Sequence, residues 1–252
     1  MKKKTVSLLL SLAMCLTMLP GQSVFAAETS TETETEAASE STGNHVENLI
    51  VGTIADQNVF NSLTQTDAFG RMNYNGFTQG DFVYRDENNN LQPYFWKSFE
   101  ISEDGKQIDF TIPLDAVWHD GEPVTMDDVV FTFEYMRDVR KNGSLQNLTE
   151  VKVTGDDSAS LIFSEPDAYY FVANSMLTMF MLPKHIWENV DDYESYAEED
   201  AAIGCGPYKL VDIDEDAGTI TYEAVPENAY LGELTVDSIT LKSYSSQDAL
   251  LM

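Results

Sequence analysis

The hydrophobic positions of this chain fall into two periods. Leu49-Ile50-Val51-Gly52-Thr53-Ile54 is a continuous apolar run, the pattern of a buried strand. Ile108, Phe110 and Ile112 alternate with polar residues and predict a half-buried strand. Phe99 and Ile101 precede it across Ser102-Glu103-Asp104-Gly105-Lys106, whose Asp-Gly pair signals a hairpin. A second hairpin is predicted from Val151–Thr154 and Ala159–Phe163, and a third from Lys209–Ile213 and Thr219–Ala224. Ile239–Lys242 reads as a last strand. Between the first two hairpins the period changes. His119-Asp120-Gly121-Glu122 reads as a turn, with Gly121 free to take positive φ. Pro123 then keeps Glu122 out of the helical region, Thr125 is a natural N-cap, and Asp128 stands at N3. Val129, Phe133 and Met136 follow at helical spacing, and Gly143-Ser144 is where that helix should give way to a loop. Pro166–Leu182 is apolar and helical in pattern, and Asp191–Asp200 is an acidic, solvated stretch.

The amino-terminal pattern is of another kind. Lys2, Lys3 and Lys4 precede an apolar run from Val6 to Leu19, too short to span a membrane, and Val24-Phe25-Ala26 offers small residues at a cleavage site. Residues 1–26 are therefore expected to be a signal peptide, and the chain to be exported: extracellular, at the cell surface or periplasmic. Residues 27–45 are a Ser/Thr/Glu-rich stretch too poor in apolar bulk to fold, read as a solvated tether. Cys15 lies inside the apolar run after Leu12-Ala13-Met14, with Met where a lipidation site wants a small residue. Plain cleavage is ranked above lipidation, and surface association could come through either the tether or a lipidated Cys15. Once cleaved, the chain keeps only Cys205, so no internal disulfide can form and a buried structural thiol is the default reading.

Composition narrows the function. Of 252 residues 43% are hydrophobic, enough for a core, and the net charge is −29. Such a charge argues against nucleic acid and against adhesion to anionic lipid, both of which need basic surface. His45, His119 and His185 form no metal-ligand spacing, Asp156-Asp157 does not fit a calcium loop, and no serine-nucleophile or zinc-protease motif occurs. No cofactor, metal or catalytic residue is expected. Paired carboxylates of a secreted hydrolase cannot be argued from sequence, because 43 acidic residues make some close pair inevitable.

Trp118-His119-Asp120-Gly121, Pro123, Asp128-Val129, Phe131, Thr132 and Phe133 stand in an order that resembles the peptide/nickel family of extracellular solute-binding proteins, which serve ABC importers. Further stretches match in family order: Tyr74-Asn75-Gly76-Phe77, Leu91–Glu100, Pro183-Lys184-His185-Ile186-Trp187, Ile203-Gly204-Cys205-Gly206-Pro207-Tyr208 (Cys205 where the family has Thr), and Pro226–Tyr230. The resemblance implies an α/β, periplasmic-binding-protein-like fold of the two-lobe type, here the first lobe only, with an inserted α+β subdomain. Residues 46–80 and 203–252 would build a sheet subdomain and 81–202 a hairpin-and-helix subdomain, the second lobe being absent. A truncated frame, a split gene and a one-lobe derivative each account for that, truncation most simply.

The implied function is to bind a small solute, an oligopeptide first among candidates, and deliver it to the permease subunits of an ABC importer without catalysis. The family places its ligand after the first strand and along the end of the helix before Pro183. On that ground Phe60, Asn61, Thr178, Phe180 and Cys205 are the expected ligand-facing residues. The alternatives are a surface interaction protein without a small ligand and, behind it, the secreted hydrolase.

Overall fold

A computed structural model describes residues 45–54, 61–64, 76–176, 179–246 and 249. The β4 (Ser98–Ile101) and β5 (Gln107–Thr111) strands form the first hairpin, turned by Gly105 at φ +70°. They follow a small ladder of β2 (Val83–Arg85) and β3 (Leu91–Pro93). The second hairpin is β6 (Leu148–Val153) with β7 (Ser158–Phe163). The four longer strands make one antiparallel sheet ordered β4-β5-β7-β6. The second sheet gathers β1 (Val46–Thr53), β8 (Tyr208–Asp214), β9 (Thr219–Ala224) and β10 (Val236–Ser243) in the order β1-β10-β9-β8. In it β1 is parallel to β10, while β9 runs antiparallel to both its neighbours. Thus β1, β10 and β8 all point the same way.

Helix α1 (Met126–Asp138) lies against the first sheet. Asp128 caps it: one carboxylate oxygen accepts the Thr125 backbone N–H and hydroxyl, each at 2.8 Å. Its other oxygen accepts the Lys184 backbone N–H at 3.0 Å, at the start of helix α2 (Lys184–Trp187). One turn on, the Thr132 hydroxyl donates to the Asp128 carbonyl and accepts the Leu182 N–H at 2.9 Å. The Asp-Val-x-Phe-Thr stretch of the helix and the Pro-Lys-His stretch of α2 are therefore one hydrogen-bonded unit. Val129 and Phe133 are wholly buried on the inner face of α1, each contributing about 1.5–3 kcal/mol of apolar burial. Phe133 stacks on Phe82 at 5.5 Å between ring centres, and Trp96 stacks on Phe110 at 4.2 Å.

Three local expectations are corrected. The apolar run at Leu49–Ile50 is not buried: Leu49 is 43% and Ile50 63% exposed. Among the described residues β1 pairs with β10 alone, and Leu49 and Ile50, which point to opposite faces of the sheet, are both left open, so neither face is covered there. Helix α1 ends at Asp138, short of Gly143; Lys141 takes φ +54°, and Asn142 caps a separate 3₁₀ turn at Gly143–Leu145. The apolar stretch after Pro166 is a single α turn, Ala168–Tyr170, continued by a wider π turn, Phe171–Ser175.

Candidate functional site

Two places in the fold are candidates for a functional site, and the first gathers motifs singled out by sequence. The first is the loop Gly204-Cys205-Gly206. It lies so close to the 77–80 backbone that only glycine fits. A Cβ on Gly204 would sit 2.0 Å from the Thr78 carbonyl oxygen, and one on Gly206 would sit 2.4 Å from that of Phe77. The Gly206 N–H donates to the Thr78 carbonyl at 2.8 Å. Every carbonyl of the loop is taken. Gly204 accepts the His119 backbone N–H at 3.0 Å, Cys205 the Tyr230 hydroxyl at 2.5 Å, and Gly206 both His119 Nε2 at 3.0 Å and Asn228 Nδ2 at 3.2 Å. Asn228, fully buried, also donates to the Val117 carbonyl at 2.9 Å and accepts the Val117 N–H at 3.2 Å. Three separated motifs, Trp-His-Asp-Gly, Gly-Cys-Gly-Pro-Tyr and Pro-Glu-Asn-Ala-Tyr, thus close into one polar knot that ties the second sheet to the turn before α1.

The electrostatics of this knot favour neutral groups. Burial lowers the His119 pKa to about 4, against the opposing pull of the Gly206 carbonyl. The same desolvation pushes the Cys205 thiol well above its ordinary range. Both are uncharged at neutral pH, and the thiol, fully buried, points its S–H at the Gln79 carbonyl at 3.6 Å. The arrangement holds backbone in place and presents no poised proton donor or thiolate.

The second place is set by strand direction. Because β1 and β10 are parallel, their carboxyl ends lie side by side, and the Tyr244 N–H closes onto the Thr53 carbonyl at 2.7 Å. Ile54 is 58% exposed there, Ser245 and Ser246 are exposed, and Lys242 Nζ lies 5.7 Å from the Tyr244 ring centre. In open α/β sheets the ligand crevice lies at this end of the strands.

Of the five sequence-predicted residues, Phe60 and Thr178 fall outside the described residues. Asn61 is 3% exposed; its amide nitrogen donates to the Tyr193 and Tyr196 carbonyls at 2.6 and 2.9 Å, and its oxygen accepts the Leu63 N–H at 2.9 Å. Phe180 is 4% exposed and its backbone bridges Asp81. Cys205 precedes β8 and so stands at the amino ends of β1 and β10, the opposite edge from the carboxyl-end crevice. Phe180 and Cys205 meet the same Gln79–Asp81 backbone, while Asn61 serves the 193–196 turn. All three side chains are turned into the protein, so each is occupied by packing or by backbone partners. Sequence reasoning gave no role to Asn228 and Tyr230, which carry much of the knot. Their only signal was position inside a family-ordered motif.

Comparison with known proteins agrees with this architecture. A family model described as bacterial extracellular solute-binding proteins, family 5 Middle, matches residues 90–252. A putative binding protein of Brucella melitensis is 28% identical over 217 residues, covering 80% of this chain and 35% of its own length. The oligopeptide-binding protein AppA of Bacillus subtilis is 26% identical over 278 residues, covering 98% of this chain and 49% of its own. The structure of AppA with a nonapeptide superposes with a TM-score of 0.69 at 25% identity, over 82% of this chain and 42% of that one. NikZ of Campylobacter jejuni, in complex with Ni(L-His), gives 0.64 at 26%, over 78% and 39%. The chain spans half or less of the length of these relatives.

Proposed function

The chain belongs to the bacterial extracellular solute-binding proteins, family 5, and from that premise we propose that it is first-lobe polypeptide of a receptor that captures an oligopeptide, or a solute of similar size, for an ABC importer. The observation that carries the reading is the side-by-side carboxyl ends of β1 and β10, in a fold that superposes on a peptide-bound relative. In this reading the wall of the ligand crevice is formed by Ile54, Tyr244, Ser245 and Ser246, with Phe60 in the segment that leaves β1, while Asn61 holds the 193–196 turn. Tyr244 offers an aromatic face, and the serines and backbone offer hydrogen bonds. Such a site needs an apolar surface and a few convergent polar groups, and no catalyst. Phe180 and Cys205 hold the 79–81 segment and do not touch the ligand. In the same reading residues 1–26 export the chain, and permease subunits receive the solute.

The test is a backbone-amide NMR titration of residues 27–252 with a pool of short peptides, and separately with Ni(L-His). Peptides should shift the amides of residues 53–54 and 243–246 in fast exchange, because one wall supplies only part of the contacts of a closed crevice. Peptide-independent spectra, or shifts confined elsewhere, would overturn the assignment. A response to Ni(L-His) alone would move the solute class from peptide to metal chelate.

A further inference from the structure

A groove of about 650 Å³ lies elsewhere on the molecule, lined by Lys209–Ile213, by Glu199, Asp200 and Ile203, and by His119 and Asp120. Five consecutive residues of β8 line it. Side chains of a strand alternate between its two faces, so one space touched by all five lies beyond the strand's edge and not over a face. Among the described residues β8 is the terminal strand of its sheet, paired with β9 alone. The groove therefore runs along an unpaired backbone edge. Its walls are acidic: Asp120, Glu199, Asp200 and Asp212 stand against Lys209. Among the described residues, the Glu199 and Asp212 carboxylates have no side-chain partner, and Val211 at the middle of the strand is 41% exposed.

We propose that this groove docks an extended, basic polypeptide segment, which adds to β8 as an outer strand and sets Lys or Arg side chains against Glu199, Asp200 and Asp212. Strand addition supplies backbone hydrogen bonds, and the acidic walls select the sequence. Charge decides between occupants. A second copy of β8 would bring Asp212 and Asp214 against the same carboxylates. The chain's own 27–45 segment has five glutamates and no Lys or Arg, and is repelled in the same way. A bulge at Val211, between Leu210 and Asp212 in the register with β9, limits regular pairing to the residues on either side. This makes the edge a poor template for indiscriminate strand pairing and suits it to a short, charge-matched segment. The proposal is independent of the crevice at the carboxyl ends of β1 and β10.

Fluorescence anisotropy with the full chain at low salt tests it, using a labelled peptide of about ten residues that alternates lysine with valine. Three controls accompany it: the same peptide with N-methylated backbone amides, its glutamate counterpart, and the double variant Glu199→Lys/Asp212→Lys, checked for folding by circular dichroism. The lysine peptide should bind, the glutamate peptide should not, and N-methylation should weaken binding. The double variant should weaken it about tenfold, since two exposed attractions become repulsions. Binding of the lysine peptide that ignores both N-methylation and the double variant is non-specific adhesion to an acidic chain, or occupancy of the other crevice, and overturns the proposal. Absence of binding, or equal binding of the glutamate peptide, does the same. Should the double variant misfold, Asp212→Asn alone with the methylated and unmethylated pair still decides it.

Discussion

Acid should loosen the knot through one imidazole. His119 Nε2 donates to the Gly206 carbonyl at 3.0 Å, and Nδ1 faces the Gly204 N–H at 3.4 Å, so the hydrogen-bond network assigns the neutral Nε2–H tautomer. Protonation would place a second N–H against the Gly204 N–H inside a half-buried site. The folded-state pKa is lowered from 6.5 to about 4. Between those values the unfolded chain binds a proton that the folded chain refuses, so stability falls as pH falls through this window and is fully present above it. At its full extent the difference corresponds to about 3 kcal/mol, trimmed by the part of the ring still open to water. His119→Gln cannot titrate, and its amide can still donate to Gly206. Urea denaturation of both proteins from pH 7.5 to pH 4 gives the comparison (every carboxylate is common to the two). The wild type should lose about 2–3 kcal/mol relative to the variant across the window. Parallel profiles would refute both the lowered pKa and the role of the neutral ring.

Other perturbations test separate parts of the same fold. Gly204→Ala drives a methyl onto the Thr78 carbonyl oxygen, leaving only 2.0 Å between them; urea denaturation should show a loss above about 4 kcal/mol or no folded protein. Asn228→Ala strips partners from Val117 and Gly206 at once, and should cost about 2–4 kcal/mol by the same measurement. Tyr244→Ala should weaken solute binding in the amide titration while moving the thermal midpoint by less than about 3 °C, because its ring is only half-buried. Cys205 should resist a thiol reagent in the native protein and react at once in denaturant, its S–H being wholly enclosed.

What could be read from the sequence was what local chemistry decides. Gly105 and Gly121 take positive φ where Asp-Gly turns were expected, and Thr125 begins α1 with Asp128 as its cap. The three hairpins fall on their predicted strands because each is set by neighbouring residues and a short turn. The end of α1 was harder. Gly143 is a good helix stop, but Lys141 in the left-handed region had already turned the chain, and nothing in its type announces that. Leu49 and Ile50 mark the next limit. An apolar run reports that a strand wants cover on both faces, not whether the fold lays anything over them, and at Leu49 and Ile50 neither face is covered.

The site was less legible than the fold for a geometric reason. Motif order located the Gly204–Gly206 loop and gave it a place in a family; it could not say which end of a sheet the loop would occupy. That follows only from the direction of β8, itself fixed by two antiparallel pairings through β9. Once those are known, Cys205 stands at the amino ends of β1 and β10, and Tyr244 stands at the carboxyl ends where a crevice can form. A buried asparagine presents the same difficulty. Asn61 and Asn228 have the side chain of a ligand-binding residue, and both are spent on backbone groups the chain could not otherwise satisfy. Polar residues in an ordered motif therefore divide into those that face solute and those that hold backbone. The dividing quantity is whether the surrounding carbonyls and N–H groups already have partners, which is a property of the folded chain and not of any stretch of it.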